Sequence, residues 1–233
     1  MKAFILAAGN GTRLRPLTDT TPKCLLPVRG VPMLAIWLES CRAAGISEVI
    51  INAHAHAAKV IEFARRPDLP VRVNVVEEKI LLGSAGTLAE NRTFVGEEDS
   101  FFVLYGDVLT NVALAGLMAF HRAKKMLATL GIYSVPDPTR CGIVTTDENS
   151  IVRSFEEKPQ LPESNWAFSG VMVASPSILD LIPAHRPADI GFHLLPQLVG
   201  QMCARPIADF LLDIGTLETY QAAQISWPGL KET

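Results

Sequence analysis

Several absences narrow what this chain can be. No apolar run reaches the roughly 18 residues that a membrane-spanning helix needs. The N-terminal apolar stretch Ala3–Ala8 is shorter than the core of a secretory leader and leads straight into charged residues, so it reads as a strand. Cysteine is sparse. Cys24, Cys41, Cys141 and Cys203 stand far apart with no CxxC spacing, which fits reduced thiols in a cytoplasm better than a disulfide frame or a zinc site. Basic residues are not in excess: 21 Lys and Arg face 24 Asp and Glu for a formal net charge of -3, so neither a broad nucleic-acid surface nor a membrane partner is expected.

Familiar chemical signatures are missing too. No GxxxxGK followed by Ser or Thr occurs. The dinucleotide fingerprint is broken, because after Gly9 and Gly11 the third glycine position holds Leu14, and the second strand ends on Asn52 rather than on an acid. That makes a nicotinamide dehydrogenase a poor reading. His54 and His56 have no third ligand and no HxxxH spacing, and they read as part of an exposed loop. Repeats, low-complexity segments and linkers are absent.

What is present is a chain of 233 residues, 48% of them hydrophobic, enough for one large globular core. Strand-length apolar runs (3–8, 48–52, 71–76, 101–105, 127–133) alternate with stretches of helical period (33–44, 57–65, 114–124). This alternation predicts an α/β fold, a doubly wound and mostly parallel sheet. Close-spaced strand candidates at 142–145, 151–155 and 166–174 predict a small antiparallel insertion. Helices are expected again at 177–182 and 192–202, then a strand near 207–212 and a last helix from about Leu217. Ligands of such sheets collect beyond the carboxyl ends of the strands.

The segment after the first strand, "LAAGNGTRLRPLTDTTPKCLLPVRG", occupies such a place. Gly9 and Gly11 let main-chain N–H groups come close to a ligand, and Pro16, Pro22 and Pro27 keep the segment from closing into a helix. Arg13, Arg15, Lys23 and Arg29 against Asp19 leave three positive charges in excess, which suits a polyanion at the Arg13 fork and the Lys23 ammonium better than a plain solvated loop.

"AAGNGTRLRPLTDTTPKCLLPV" resembles the signature of the sugar-1-phosphate nucleotidylyltransferases, most of all the mannose- and heptose-1-phosphate guanylyltransferase branch. The resemblance covers nearly the whole chain and implies a Rossmann-like, glycosyltransferase-A-like fold. It implies one domain over 1–233, a nucleotide-binding half to about 110 and a sugar-phosphate half beyond. It also implies that Ala8, Gly9, Gly11 and Thr12 hold the nucleotide through the main chain, that Arg13 stabilises charge on the triphosphate, and that Lys23 contacts the reacting phosphates. The left-handed β-helix that some relatives carry has no room within these 233 residues.

Two acids stand at strand ends: Asp107 after "FFVLYG" and Asp213 after "DFLL". Magnesium takes hard oxygen ligands and keeps several waters, so one or two carboxylates suffice beside a triphosphate. Capping is the plainer role for such aspartates, but Thr216 is the better cap for the last helix and Asp107 lies too far from the next one. "YGD" and "DIGT" also resemble the family's two metal-binding segments, which makes Asp107 and Asp213 the expected Mg2+ ligands. Leu211 stands where the family usually has Trp.

In "LLGSAGTL", Gly83 and Gly86 resemble the family glycines that touch base and sugar, although a helix cap explains them equally. Glu77 and Glu78 just upstream are expected to be solvated charges rather than ligands. In "FEEKP", a surface pair between Lys158 and Glu156 or Glu157 is the plain reading; the resemblance instead places Lys158 on the sugar phosphate and Glu157 on a sugar hydroxyl. Gly170 in "FSGVMV" is expected to pack beneath the sugar, with Phe168 where a polar residue is usual.

The reaction so implied is attack by a sugar 1-phosphate oxygen on the α-phosphorus of a nucleoside triphosphate, releasing pyrophosphate. The nucleophile is already ionised, so cations and alignment matter more than a general base. This suits a chain that shows no catalytic triad. The rival from another class is an inactive nucleotide-sugar-binding regulatory subunit, which would be expected to lack one of the charged site residues. Uridylyl or thymidylyl transfer and a homo-oligomer stay open. The expectation is that Arg13, Asp107, Lys158 and Asp213 meet in one cleft.

Overall fold

The structure is a computed structural model that describes residues 1–231. Its strands run in the order β1 (Lys2–Leu6), β2 (Pro27–Val28), β3 (Val31–Pro32), β4 (Glu48–Ala53), β5 (Arg72–Glu77), β6 (Phe101–Tyr105) and β7 (Val108–Thr110). They continue with β8 (Ala128–Ser134), β9 (Gly142–Thr146), β10 (Val152–Glu157), β11 (Trp166–Ala174), β12 (Met202–Pro206) and β13 (Leu211–Asp213). The α-helices are α1 (Met33–Ala43), α2 (Ala57–Ala64), α3 (Ser84–Glu90), α4 (Leu114–Lys124) and α5 (Leu217–Ser226). The class is the expected one: α/β, with a mostly parallel central sheet and small antiparallel ladders. No helix among the described residues is long and apolar enough to cross a membrane.

The chain divides into two compact units, 1–81 with 104–115 and 209–231, and 82–103 with 116–208. In the first, β1 pairs in parallel with β4 and β4 with β5, and the carboxyl ends are level: Leu6 lies opposite Asn52, and Asn52 opposite Val76. The apolar residues of α1 explain why that helix packs. Met33, Trp37 and Cys41, four apart, are all buried with Leu34 and Leu38 beside them. Gly45, at φ 73°, then ends the helix, with bonds from Ile46 N–H to the Cys41 carbonyl and from Gly45 N–H to the Arg42 carbonyl. A second cluster, Val28, Met33, Ile36, Leu109, Ile214 and Trp227, seats α5 and the β7–β13 ladder.

In the second unit β8 is flanked by β12, parallel, and β11, antiparallel. The chain continues outward through β9 and β10 as an antiparallel ladder, the insertion that the close-spaced strand candidates predict.

Three expectations need correction. The stretch 192–202 is not an α-helix: Ile190–Leu194 form a π turn and Leu195–Leu198 a 3-10 turn, because Pro196 has no N–H for an α-helical bond and Gly200, at φ 81°, turns the chain toward β12. The strand expected near 207–212 is instead two, β12 before it and β13 at its end. The opening loop is not uniformly open, since Thr12–Leu14, Leu17–Asp19 and Lys23–Leu25 each close a single 3-10 turn between the prolines.

Candidate active site

The first unit gathers the charges that matter. Lys23 Nζ donates to Asp107 Oδ2 at 2.6 Å and lies 3.9 Å from Asp213 Oδ1. Backbone pairing sets this meeting: β13 runs antiparallel to β7 with Asp213 opposite Val108, and the Ile214 N–H donates to the Asp107 carbonyl at 2.9 Å. Arg13 joins them from the glycine loop. A Cβ on Gly215 would lie 3.2 Å from an Arg13 guanidinium nitrogen and 3.3 Å from Asp213 Oδ1, so both side chains reach close to that stretch of backbone. Gly11 is fixed likewise: at φ 64° its carbonyl accepts from the Thr18 hydroxyl at 2.8 Å, and a Cβ there would meet Thr18 Cγ2 at 2.9 Å.

Burial raises the Asp213 pKa and the Asp107 charge raises it further, while Lys23 and Arg13 pull the other way. The carboxyl is ringed by protein atoms although 56% of the side-chain surface is open, so solvent screens much of this. Cys24, next to Lys23, is held up to about 12 by burial, which keeps it a neutral thiol and no nucleophile. Asp107 and Asp213 offer hard oxygens only, the donor set that magnesium takes when it keeps several waters. Among the described residues no group of three or more His, Cys, Asp or Glu is placed to hold a metal.

The other two basic residues of the loop have local work. Arg15 pairs with Asp19 at 3.3 Å on the surface, and Arg29 donates to the Gln224 and Ile225 carbonyls at the end of α5, at 3.2 and 2.8 Å. Of the four basic side chains of the loop, Arg13 and Lys23 are therefore the two that stand beside Asp107 and Asp213. Tyr220 and Gln224 of α5 donate to the Pro27 carbonyl at 2.6 and 2.8 Å, and the Thr216–Thr219 capping box starts that helix.

Glu78 overturns an expectation. It is not a solvated charge but a carboxylate 5% exposed, accepting from Asn52 Nδ2 at 2.8 Å. Asn52, also 5% exposed, accepts the Ala7 N–H on its Oδ1 at 2.7 Å. Glu77 is exposed. His54 Nδ1 lies 2.6 Å from the Glu78 carbonyl oxygen and His56 Nε2 lies 3.1 Å from that of Thr18, so the two histidines brace loops.

The second unit holds the remaining predicted residues. Glu157 ends β10 half-buried; burial raises its pKa, the Asp189 charge adds to this, and Lys158 opposes it from 4.0 Å. Lys158 sits at φ 54°, its N–H donating to the Cys141 carbonyl at 2.9 Å, and its ammonium lies 5.8 Å from the centre of the Phe192 ring. Gly170 lies at φ 76° inside an irregularity of β11 between Phe168 and Met172. Gly83, at φ 78°, abuts the Ala188 carbonyl, 2.3 Å from where a Cβ would stand. That carbonyl accepts from the N–H groups of Ala85 and Gly86, both at 3.0 Å.

Sequence reasoning passed over Asp189. Its Oδ1 accepts from the Gly191 and Phe192 N–H groups, and its Oδ2 from the Ser84 hydroxyl at 2.9 Å, which ties the π turn to the head of α3. An aspartate directly before "IGF" is an N-cap signal that could have exposed it. Of the predicted site residues, Arg13, Lys23, Asp107 and Asp213 come together within the first unit, while Glu157, Lys158, Gly170, Gly83 and Gly86 belong to the second.

The first unit thus sets a glycine loop leaving the first strand beside two acids bridged by a lysine, within an α/β fold. Residues 2–226 match the nucleotidyl transferase family, and the chain belongs to it. It is 35% identical over 215 residues to a UTP–glucose-1-phosphate uridylyltransferase from Synechocystis, covering 85% of this chain and 55% of that protein. It is 34% identical over 227 residues to a mannose-1-phosphate guanyltransferase from Schizosaccharomyces pombe, covering 94% and 62%. The chain thus spans less than two thirds of the length of these relatives. A putative glucose-1-phosphate thymidylyltransferase from Bacillus anthracis superposes with a TM-score of 0.87 at 25% identity, over 100% of this chain and 97% of that one.

Proposed function

We propose that this chain transfers a nucleoside monophosphate from a nucleoside triphosphate to a sugar 1-phosphate, releasing pyrophosphate, with Mg2+ as cofactor and in the cytoplasm. The observation that carries this reading is Lys23 bridging Asp107 and Asp213 at 2.6 and 3.9 Å, in the first unit with the Arg13 loop. In this proposal the main chain from Ala8 to Thr12 receives the triphosphate, and Arg13 and Lys23 offset the charge that builds as the α-phosphorus is attacked. Asp107 and Asp213 hold the metal, whose chemistry is to neutralise phosphate oxygens and polarise the bond being broken. Glu157 and Lys158 are assigned to a sugar hydroxyl and the sugar phosphate, and the glycines at 83, 86 and 170 to base and sugar.

Guanylyl transfer to mannose 1-phosphate or a related heptose 1-phosphate is the first pairing to test. Uridylyl transfer to glucose 1-phosphate is the second, favoured by the 35% identity to the Synechocystis enzyme. Pyrophosphate release measured for the four ribonucleoside triphosphates and dTTP, each against a panel of sugar 1-phosphates with and without Mg2+, decides. One pairing is expected to exceed the others, and only with the metal. A folded protein that binds nucleotide sugar and turns over no pairing would instead be a regulatory subunit.

A further inference from the structure

We propose that Asn52 and Glu78 form a positioning pair that sets the angle at which the nucleotide-binding loop leaves β1. This rests on the nucleotide reading above. β1 ends at Leu6, opposite Asn52, so the Ala7 N–H lies one step beyond the ladder. The Asn52 side chain supplies the missing rung by accepting that N–H at 2.7 Å. An asparagine amide rotates freely enough to present either end, and what fixes its orientation here is Glu78: a carboxylate only accepts, so Asn52 must turn its NH2 to Glu78 and its oxygen to Ala7.

The same peptide is gripped from its other side, where the Leu6 carbonyl accepts the Gly106 N–H at 2.9 Å. A Cβ on Gly106 would lie 3.0 Å from that carbonyl oxygen and 3.2 Å from Ala7 Cβ, so the turn carrying Asp107 presses directly on the loop's first residue. One peptide, Leu6–Ala7, is thereby referenced both to the Asn52–Glu78 pair and to the acid proposed to hold the metal. Ala8 and Gly9 follow at once, and any rotation of the Ala7 peptide carries their N–H groups with it. Neither Asn52 nor Glu78 touches the nucleotide in this account.

The polarity of the pair supplies the test. Asn52→Asp puts two acceptors face to face, whereas Asn52→Asp with Glu78→Gln restores one donor and one acceptor in the reverse order and still leaves an oxygen for Ala7. Triphosphate affinity by calorimetry is expected to weaken about tenfold or more in Asn52→Asp and to return to within about threefold of wild type in the double variant. KM for the sugar 1-phosphate should stay unchanged. The loss should persist at about 0.5 M salt, where simple repulsion of the triphosphate is screened. Glu78→Gln alone, whose amide can present either end to Asn52, should weaken triphosphate affinity, though less than Asn52→Asp does. A folded Asn52→Asp protein with wild-type triphosphate affinity, or a double variant as weak as the single, overturns the proposal. So does fast hydrogen exchange of the Ala7 amide in the wild-type protein, a readout that needs no variant. Wild-type protein that binds no triphosphate at all would sink the function itself, a result distinct from all of these.

Discussion

In the first unit Asp107 and Asp213 share Lys23 at 2.6 and 3.9 Å and stand beside Arg13, whereas in the second burial and the Asp189 charge raise the Glu157 pKa, opposed by Lys158 from 4.0 Å. Both are acid pairs at the ends of strands or turns, yet they are prepared for different work. A pair with a cation already between its members is built to live with concentrated charge, of the kind a metal and a triphosphate bring. Each pair has one carboxyl whose pKa burial raises, Asp213 and Glu157; the second differs in that its cation, Lys158, is exposed and 4.0 Å away, which suits hydrogen bonds from neutral groups such as sugar hydroxyls. The contrast makes a division of labour testable unit by unit.

The first pair breaks most sharply at Asp107. Asp107→Asn keeps the shape and the contact with Lys23 but removes half of the anionic ligand set. Turnover should fall about a thousandfold or more, in line with the loss of several kcal/mol of transition-state stabilisation. Circular dichroism and thermal midpoint should stay close to wild type, since the side chain is 39% exposed and β7 is held by its backbone. Full activity in this variant would remove the acid pair from the mechanism.

The second pair is probed through its glycines, and two of them should behave differently. At Gly83 an added Cβ would stand 2.3 Å from the Ala188 carbonyl oxygen, a backbone atom, at a positive φ. Gly83→Ala is therefore expected to cost about 2–4 kcal/mol of stability, read by urea denaturation. At Gly191 the Cβ would also stand 2.3 Å away, but from Glu157 Oε2, the far end of a flexible side chain. Gly191→Ala should fold, move that carboxylate and raise KM for the sugar 1-phosphate several-fold, while KM for the triphosphate holds. Equal losses for both substrates would blur the division between the units.

How much of this was legible in the sequence follows from the range of the interactions. The glycine loop and both aspartates stand out in the sequence because each is local to a strand end, and a strand in an α/β sheet announces where its ligand side lies. The fold class followed from the alternation of periods, and α5 from its Thr216 cap. Glu78 was misread because "VVEEK" looks like an acidic loop; what buries it is an asparagine 26 positions away, at the level end of a neighbouring strand. Asn52 itself was noticed only as the wrong residue for a dinucleotide fingerprint. Arg29 counted toward a loop charge although the distant end of α5 holds its guanidinium, and Arg15 although Asp19, four residues on, pairs with it. The helical period of 192–202 came from real burial of Leu194, Leu195 and Leu198, but Pro196 turned it into π and 3-10 geometry. Patterns reported which residues face inward and left open the backbone that puts them there.

The smallest effect tests the second pair through pH. Glu157 has its pKa raised in the folded chain, first by burial and then by Asp189. A carboxyl that binds its proton more tightly when folded contributes stability that is fully present below its unfolded pKa and is lost as pH rises through the folded value. At neutral pH the native Glu157 therefore carries the penalty of an ionised, half-buried group, and Glu157→Gln does not. Its Lys158 partner, 4.0 Å away and 58% exposed, offsets little of this. The variant should melt higher than wild type by about 1–3 °C at pH 7, and the gain should shrink toward zero as pH falls to about 4, where the native side chain is protonated too. A gain that grows on acidification would reverse the sign and show Glu157 to be stabilised as an anion, against the direction that burial and Asp189 give it.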